Sequence, residues 1–313
     1  MKIVFCGTSS FGVPALENLL ESHHEVLTVI TQPDRPQGRG RKLFPSPIKS
    51  LALARKLPIF QPEKINDRAS LEVMQSFHPE VIVVVAYGQI LSPSILTIPQ
   101  RGCVNVHASL LPRYRGAAPI PWALLNGEAR TGVTTMLMDA GMDTGPILLT
   151  ASTPIHEDDT AGTLHDRLSR MGADLLLPTL AGLENGEITP RAQDPSRATY
   201  APKIVKESAR IRWDQEAIVL FNMLRAFDPW PGAFTFWQGR MLKLFRPRFL
   251  EGAEEALREE PGTVTQVGSA ELHIATKPGL LAVRELQLIN RPRMGVAEFL
   301  RGHPLRAGER LGE

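Results

Sequence analysis

The sequence has little cysteine and no long apolar run, and each shortage excludes a class of protein. Only two of its 313 residues are cysteines, Cys6 and Cys103, and both fall in predicted strands, where cysteine behaves as a small hydrophobic residue. The longest apolar run, residues 81–87, is far shorter than a membrane-spanning helix, and the first apolar run is too short for a signal peptide. We therefore expect a reduced, cytoplasmic protein with no membrane association.

Metal-binding and dinucleotide-binding patterns are also missing. The eight histidines show no spacing such as His-Glu-x-x-His, so the sequence predicts no metal. The first predicted strand is followed by Gly7 and Gly12, but Ser9 stands where the Gly-x-Gly-x-x-Gly pattern requires a glycine. These glycines therefore indicate a tight turn rather than the cofactor site of a dehydrogenase. The net charge of +2 is too small to indicate a nucleic-acid-binding protein by itself.

The order of predicted strands and helices indicates the fold of residues 1–207. A continuous Val/Ile run at residues 80–87 is typical of a central parallel strand that is covered on both faces. Strands alternate with helices along this part of the chain. We therefore expect an α/β domain with an open, mainly parallel, Rossmann-like sheet and helices on both faces. Residues 194–207 lack periodicity, and we interpret them as a linker.

Residues 208–313 show a different pattern, in which one helix is followed by short alternating strands. The five strands are predicted at residues 233–237, 241–245, 263–267, 271–275 and 280–288. Five strands of this length predict a small OB-like β-barrel domain. Arg240, Lys243 and Arg246 lie close together without an acid among them, which favours an RNA surface. Such barrels also have purely structural roles, and that alternative stays open.

Residues 102–120 contain the polar pair with the clearest chemical meaning. Side chains alternate across a strand, so Asn105 and His107 lie on one face, near the carboxyl end of a buried strand. Ligands of open α/β sheets bind outside the carboxyl ends of the strands. An amide and an imidazole at this place suit a carbonyl that becomes an oxyanion. The alternative is that both side chains only hold the following loop by hydrogen bonds.

Three strings of residues resemble one enzyme family. Residues 105–116, Asn-Val-His-Ala-Ser-Leu-Leu-Pro-Arg-Tyr-Arg-Gly, resemble a signature of the 10-formyltetrahydrofolate-dependent formyltransferases. Residues 139–145, Asp-Ala-Gly-Met-Asp-Thr-Gly, resemble its second signature. Residues 31–42 resemble a basic loop of those members that act on methionyl initiator tRNA.

The resemblance implies an activity, a cosubstrate and a set of site residues. The activity is transfer of a formyl group from 10-formyltetrahydrofolate to the amino group of methionyl initiator tRNA, without a metal and without a protein nucleophile. Asn105 and His107 would donate hydrogen bonds to the oxyanion, and Asp143 would orient His107 and help to take the proton from the amine. The folate would contact residues of three segments: Tyr87, Gly88, Ile90, Leu91, Ser109, Leu110, Leu111, Pro112 and Asp139.

The same resemblance gives residues 32–46 a role in binding tRNA. This connection is rich in Pro and Gly, which predicts an irregular solvated segment. Its basic residues would contact phosphates. They are Arg35, Arg39, Arg41 and Lys42. Arg39 lies between two glycines and is the expected centre of the contact. The alternative is a solvated linker, and we expect the protein to be a monomer.

Three other functions are compatible with parts of the sequence. A formyltransferase for a nucleotide sugar or another small amine would use the same donor but would not need the basic loop. A purine-pathway formyltransferase would not need the second domain. A non-catalytic RNA-binding protein would tolerate the loss of Asn105, His107 and Asp143.

Overall fold

The computed structural model describes residues 1–37, 42–250 and 259–312. Its strands are β1 (Lys2–Gly7), β2 (Glu25–Ile30), β3 (Arg35–Gln37), β4 (Lys42–Phe44), β5 (Ile59–Phe60), β6 (Val81–Val85), β7 (Cys103–His107), β8 (Arg130–Leu137), β9 (Ile147–Pro154), β10 (Phe234–Trp237), β11 (Arg240–Leu250), β12 (Val264–Val267), β13 (Leu272–Thr276), β14 (Gly279–Leu288) and β15 (Met294–Gly295). Its α-helices are α1 (Val13–Glu21), α2 (Pro47–Ala54), α3 (Arg68–Ser76), α4 (Pro93–Leu96), α5 (Pro119–Leu125), α6 (Ala161–Asn185), α7 (Ala217–Ala226) and α8 (Val296–Gly302). None of the described helices is long and apolar enough to cross a membrane.

These elements belong to two compact units. Unit 1 comprises residues 1–119, 130–153 and 165–201, and unit 2 comprises residues 120–129, 154–164 and 202–313. Both units therefore draw on more than one stretch of the chain. The first part of the segment expected to be a linker, up to Ala201, belongs to unit 1.

Unit 1 is built on a seven-stranded sheet with the order β5-β2-β1-β6-β7-β8-β9. Strands β5, β2, β1, β6 and β7 are parallel, whereas β8 is antiparallel to β7. All five residues of β6 are buried, as expected for a central strand. The expected open, mainly parallel α/β sheet is confirmed, with an antiparallel strand next to β7.

Helices cover both faces of this sheet at β7. On one face Cys103 belongs to an apolar cluster that includes Met74 of α3 and Ile95 of α4. On the other face Gly172 of α6 lies so close to Val106 that a Cβ at this glycine would be 2.7 Å from a Val106 methyl carbon. Since side chains alternate, Asn105 and His107 share the Cys103 face.

The connection after β2 contains a short hairpin that the sequence did not predict. Strands β3 and β4 are antiparallel, with Arg35 opposite Phe44 and Pro36 opposite Leu43. The expectation of a wholly irregular segment was therefore wrong for β3 and β4. Pro36 is compatible with pairing because a two-stranded ribbon has only edge strands, where proline is tolerated.

Unit 2 contains a curled antiparallel sheet that forms a half-barrel. Its order is β10-β11-β14-β13-β12, and β15 pairs with β14. The strands fall where the alternating pattern predicted them, and the OB-like fold is confirmed. Strand β11 runs five residues beyond the predicted end, to Leu250, because Pro247–Leu250 continue to pair with β14 beyond a positive φ of 50° at Arg246.

Candidate active site

The candidate site lies at the carboxyl end of β7. Within the sheet Asn105 is opposite Met136 and His107 is opposite Thr134 of β8. His107 is buried, with 6% of its surface exposed, whereas Asn105 is half-buried. Cys103 begins the same strand, and burial raises the pKa of its thiol to about 12. This thiol is therefore protonated near neutral pH and is unsuited to nucleophilic catalysis.

The ring of His107 is fixed by the loop that follows the strand. Its Nε2 lies 2.9 Å from the carbonyl oxygen of Tyr114. A carbonyl only accepts hydrogen bonds, so Nε2 carries the proton and donates it. Tyr114 has a φ of 60°, in the left-handed region. Nδ1 lies 3.7 Å from Oδ2 of Asp143, which is too far for a hydrogen bond but close enough for attraction when the ring is charged.

The carboxylate of Asp143 is held by a backbone donor. The amide N–H of Gly116 donates to Oδ2 of Asp143 at 2.8 Å. The structure thus brings together the end of β7, the loop after it and the second signature string. The first signature string ends at Gly116, whose N–H binds Asp143 of the second string. This contact holds the Asp143 carboxylate near His107.

The side-chain amide of Asn105 makes no hydrogen bond to any residue that the structure describes. The two members of the polar pair, Asn105 and His107, therefore differ in their hydrogen bonding. His107 holds the loop through Tyr114, as the structural interpretation expected, whereas the Asn105 side chain holds no residue in the described part of the chain. A half-buried amide without a protein partner is suited to donate to a ligand oxygen.

The residues expected to contact folate after β7 are largely engaged with the protein. Ser109 donates through Oγ to the Arg113 carbonyl at 2.6 Å and accepts through its own carbonyl from Thr134 Oγ1 at 2.7 Å. Leu111 packs in a buried cluster with Met136 and Ile147. The remaining two residues of this string, Leu110 and Pro112, are half-buried.

The residues after β6 that were expected to contact folate include both buried and exposed side chains. Leu91 and Tyr87 are buried, with 3% and 2% of their surfaces exposed. The Tyr87 hydroxyl has no hydrogen-bond partner among the described atoms, and burial raises its pKa. Ile90 is 78% exposed, and Gly88 has a positive φ of 88°. Ile90 is thus the apolar side chain of this string that a ligand can reach.

The Asp139 side chain forms hydrogen bonds within its own turn. Its Oδ1 accepts from the Gly141 N–H at 3.0 Å and from Thr144 Oγ1 at 2.6 Å. This is the turn-forming role that Asp adopts most often in glycine-rich loops. A contact of Asp139 with folate stays a prediction.

Three of the seven basic residues expected to bind tRNA have partners among the described residues. Arg35 lies 3.4 Å from Glu63, and Arg246 lies 2.8 Å from Glu285. Lys243 donates to the Pro231 carbonyl at 2.6 Å. Arg240 is exposed, and no ion pair with it occurs within the described ranges. Arg39 and Arg41 lie outside the described residues, and so does the side chain of Lys42.

The sequence interpretation missed a support for the site that lies 85 residues further along the chain. The Tyr114 N–H donates to Thr199 Oγ1 at 2.9 Å. Arg115 donates to the Thr199 carbonyl at 2.9 Å and accepts from the Ala201 N–H at 2.7 Å. We call residues 199–201 the strap. The two Arg115 contacts are backbone contacts that any sequence can make, so no residue pattern could have predicted them.

One group in the described part of the chain could hold a metal ion. The ligand atoms of His23, His24 and Glu184 lie within 4.8 Å of one another. His23 and His24 immediately precede β2, at the amino ends of the parallel strands. The candidate site lies at the carboxyl ends, so this group has no part in it.

Comparison with known proteins agrees with this geometry. Residues 1–180 match the family model for formyl transferase, and residues 203–304 match that for the formyl transferase C-terminal domain. The methionyl-tRNA formyltransferase of Pelotomaculum thermopropionicum is 49% identical over 313 residues, which are 100% of this chain and 99% of that protein. The chain belongs to the methionyl-tRNA formyltransferase family.

Solved structures of the wider family share the fold. WlaRD, a sugar 3N-formyl transferase solved in the presence of dTDP and 5-N-formyl-THF, gives a TM-score of 0.67 at 20% identity, over 93% of this chain and 99% of that chain. The methionyl-tRNA formyltransferase from Clostridium thermocellum gives a TM-score of 0.58 at 20% identity, over 80% of this chain and 95% of that chain. The expected family and fold are thereby confirmed. The formyltransferase match over residues 1–180 includes β7 and Asp143 but ends before the strap.

Proposed function

We propose that this protein transfers a formyl group from 10-formyltetrahydrofolate to the amino group of methionyl initiator tRNA, for translation initiation. Support comes from the 49% identity to a methionyl-tRNA formyltransferase over the whole chain. One observation links this function to the candidate site. The Asn105 amide, at the carboxyl end of β7, has no hydrogen-bond partner among the described residues.

The side chains present fit a folate cosubstrate. Asn105 offers an amide donor to a polar group of the ligand, and Ile90 offers an exposed apolar surface. Such a combination of an apolar wall and a few directed polar groups is typical of small-molecule sites. When bound, 10-formyltetrahydrofolate would supply the carbonyl carbon that the amine attacks, and tetrahydrofolate would be the leaving group.

We assign a role to each catalytic residue. Asn105 donates to the formyl oxygen as negative charge develops on it. His107 also faces this oxygen, and we assign the contact to Nδ1, because Nε2 is held by Tyr114. Asp143, whose Oδ2 lies 3.7 Å from Nδ1, orients the His107 ring and takes part in removing the proton that the attacking amine loses.

We further propose a division of labour along the chain. Residues 1–207 hold the folate, and the tRNA is bound by residues 208–313 together with the basic loop around Arg39. In the half-barrel Arg240 is the best candidate for a phosphate contact, because it is exposed and its charge is not balanced by a nearby acid within the described residues. We infer a cytoplasmic monomer.

An acceptor assay tests the proposed function. The purified full chain is incubated with 10-formyltetrahydrofolate and one acceptor: methionyl initiator tRNA, an amino sugar linked to a nucleotide, or a small primary amine. We expect formylation of the aminoacyl-tRNA alone. N-acetylated methionyl-tRNA is the control, because its amine is blocked and it should yield no product. Faster transfer to the amino sugar would refute the proposal.

A further inference from the structure

Gln193 uses the whole hydrogen-bonding capacity of its side chain in one place. Its Nε2 donates to the carbonyl of Asp143 at 2.8 Å and to the carbonyl of Gly145 at 2.7 Å. Its Oε1 accepts from Nε and from a terminal nitrogen of Arg115, at 3.1 and 2.7 Å. Carbonyls only accept and guanidinium groups only donate, so the amide can adopt no other orientation here.

The chain places Gln193 firmly beside the second signature string. Two residues earlier, Arg191 exchanges two hydrogen bonds of 2.8 Å with Ile147, the first residue of β9. Only Pro146 separates Ile147 from the second signature string, residues 139–145. The segment before Gln193 is therefore paired with the strand that leaves the turn, and Gln193 reaches back across it.

The turn needs such a support because its backbone is in an uncommon conformation. Asp143 has a φ of 53°, in the left-handed region that residues with a Cβ rarely adopt. Gly145 lies so close to β8 that a Cβ there would be 1.8 Å from the Leu137 carbonyl oxygen. Gln193 holds the carbonyls of these two residues, and Gly116 holds the carboxylate of Asp143. A conformation of this kind persists only where its surroundings determine it.

We propose that Gln193 is a positioning residue for formyl transfer, which holds the Asp143 peptide so that the carboxylate faces His107. Arg115 orients Gln193 in turn, since this arginine is only 4% exposed and its guanidinium fixes the acceptor side of the amide. This inference rests on the proposed function, because it assumes that Asp143 acts in formyl transfer. The competing role for Gln193 is only to supply an acceptor for the buried Arg115.

Two substitutions at Gln193 distinguish these roles. Gln193→Met keeps the size and removes both the donors and the acceptor. Gln193→Glu keeps an acceptor for Arg115 and strengthens it by charge, but removes both donors to the turn. For a positioning residue, we expect kcat to fall about 10- to 100-fold in both variants, since a small misplacement of a catalytic group has effects of this order. If Gln193→Glu keeps the kcat of the wild type, the positioning role is refuted.

A double-mutant cycle with Asp143 provides the second test. If Gln193 acts through Asp143, Gln193→Met causes little further loss of kcat in an Asp143→Ala background. A full multiplicative loss in that background would overturn the proposal. Ser169→Ala is the matched control, because it removes a buried 2.8 Å hydrogen bond to the Phe11 carbonyl in the same unit and should leave kcat unchanged.

A readout without catalysis separates this inference from the proposed function. Amide hydrogen exchange of the turn, residues 139–145, should be faster in Gln193→Met and Gln193→Glu than in the wild type and in Ser169→Ala. Unchanged exchange refutes the positioning role whether or not the wild type formylates methionyl-tRNA. Lack of transfer by the wild type with faster exchange in the variants refutes the proposed function and leaves the support of the turn established.

Discussion

The candidate site in unit 1 and strand β11 in unit 2 hold their polar side chains in different ways. In the site, His107 and Asp143 are held by backbone groups of Tyr114 and Gly116. On β11, Arg246 and Arg248 are held by the acids Glu285 and Glu271. Backbone partners orient a side chain and leave its charge available to a ligand, whereas an ion pair offsets the charge itself. Arg246 and Arg248 are therefore less available to attract RNA than an arginine without an acidic partner would be.

The largest expected effect comes from Asn105, the polar residue of the site without a partner among those described. Asn105→Ala should lower kcat by about 10²–10³, the usual cost of one lost donor to an oxyanion. Since no hydrogen bond to a described residue is lost, thermal stability should change little. Steady-state transfer to methionyl-tRNA, together with a thermal melt, measures both quantities.

Two outcomes would break this assignment. Near-normal turnover in Asn105→Ala would exclude the amide from catalysis. A fully multiplicative loss in the double variant with His107→Ala would show that the two side chains do not act as a unit. Asn18→Ala, on a helix of the same unit, is the control and should retain the wild-type rate.

A smaller effect is expected on the half-barrel, where Arg240 and Arg246 form a matched pair. Both are exposed arginines of β11, but only Arg246 has an acid at 2.8 Å. Arg240→Ala should lower kcat/KM for methionyl-tRNA severalfold and reduce its salt dependence by about one unit of slope. Arg246→Ala should change either quantity less. The kinetics at several salt concentrations measure the slopes, and equal effects would contradict the distinction between paired and unpaired arginines.

The smallest effect is a dependence of stability on pH at Glu271. The hydrogen bond from Arg248, with a second from His273, lowers the pKa of Glu271 from 4.5 to about 2, against the opposing effect of burial. A carboxyl with a lowered pKa in the folded state contributes stability above the pKa of the unfolded chain and loses it as the pH falls towards 2. Glu271→Gln should therefore lower Tm by about 2 °C at pH 7 and have almost no effect at pH 2. Melts of both proteins across this range test the sign, and a constant difference at all pH values would refute it.

The same contrast explains how much could be predicted from the sequence. The positions of Asn105 and His107 follow from the two-residue period of one strand, and the strands of the half-barrel follow from the same rule. Asp143 could be added only through the resemblance of its string to a family signature, because its contact with Gly116 spans 27 residues. The spacing of residues along the sequence gave no indication that Asp143 lies near Gly116 and His107.

Contacts between residues that lie far apart in the sequence could not be predicted, whether they join two charges or a side chain and a backbone group. Nothing near Arg246 in the sequence indicates that Glu285 neutralises it, since the register of β11 and β14 decides this. Gln193 stands in a stretch without periodicity and carries no motif. The hairpin of β3 and β4 was missed because its prolines and glycines favour a loop.

The strap has a consequence for how the protein is made. A ribosome synthesises the chain from its amino end, so Tyr114 leaves the exit tunnel 85 residues before Thr199, to which it is hydrogen-bonded in the folded protein. Until then the Tyr114 N–H and the backbone of Arg115 have no such partners, and the carbonyl that fixes His107 is not held in place. The nascent chain can therefore form its central strands early, while the complete site has to wait for the strap to emerge.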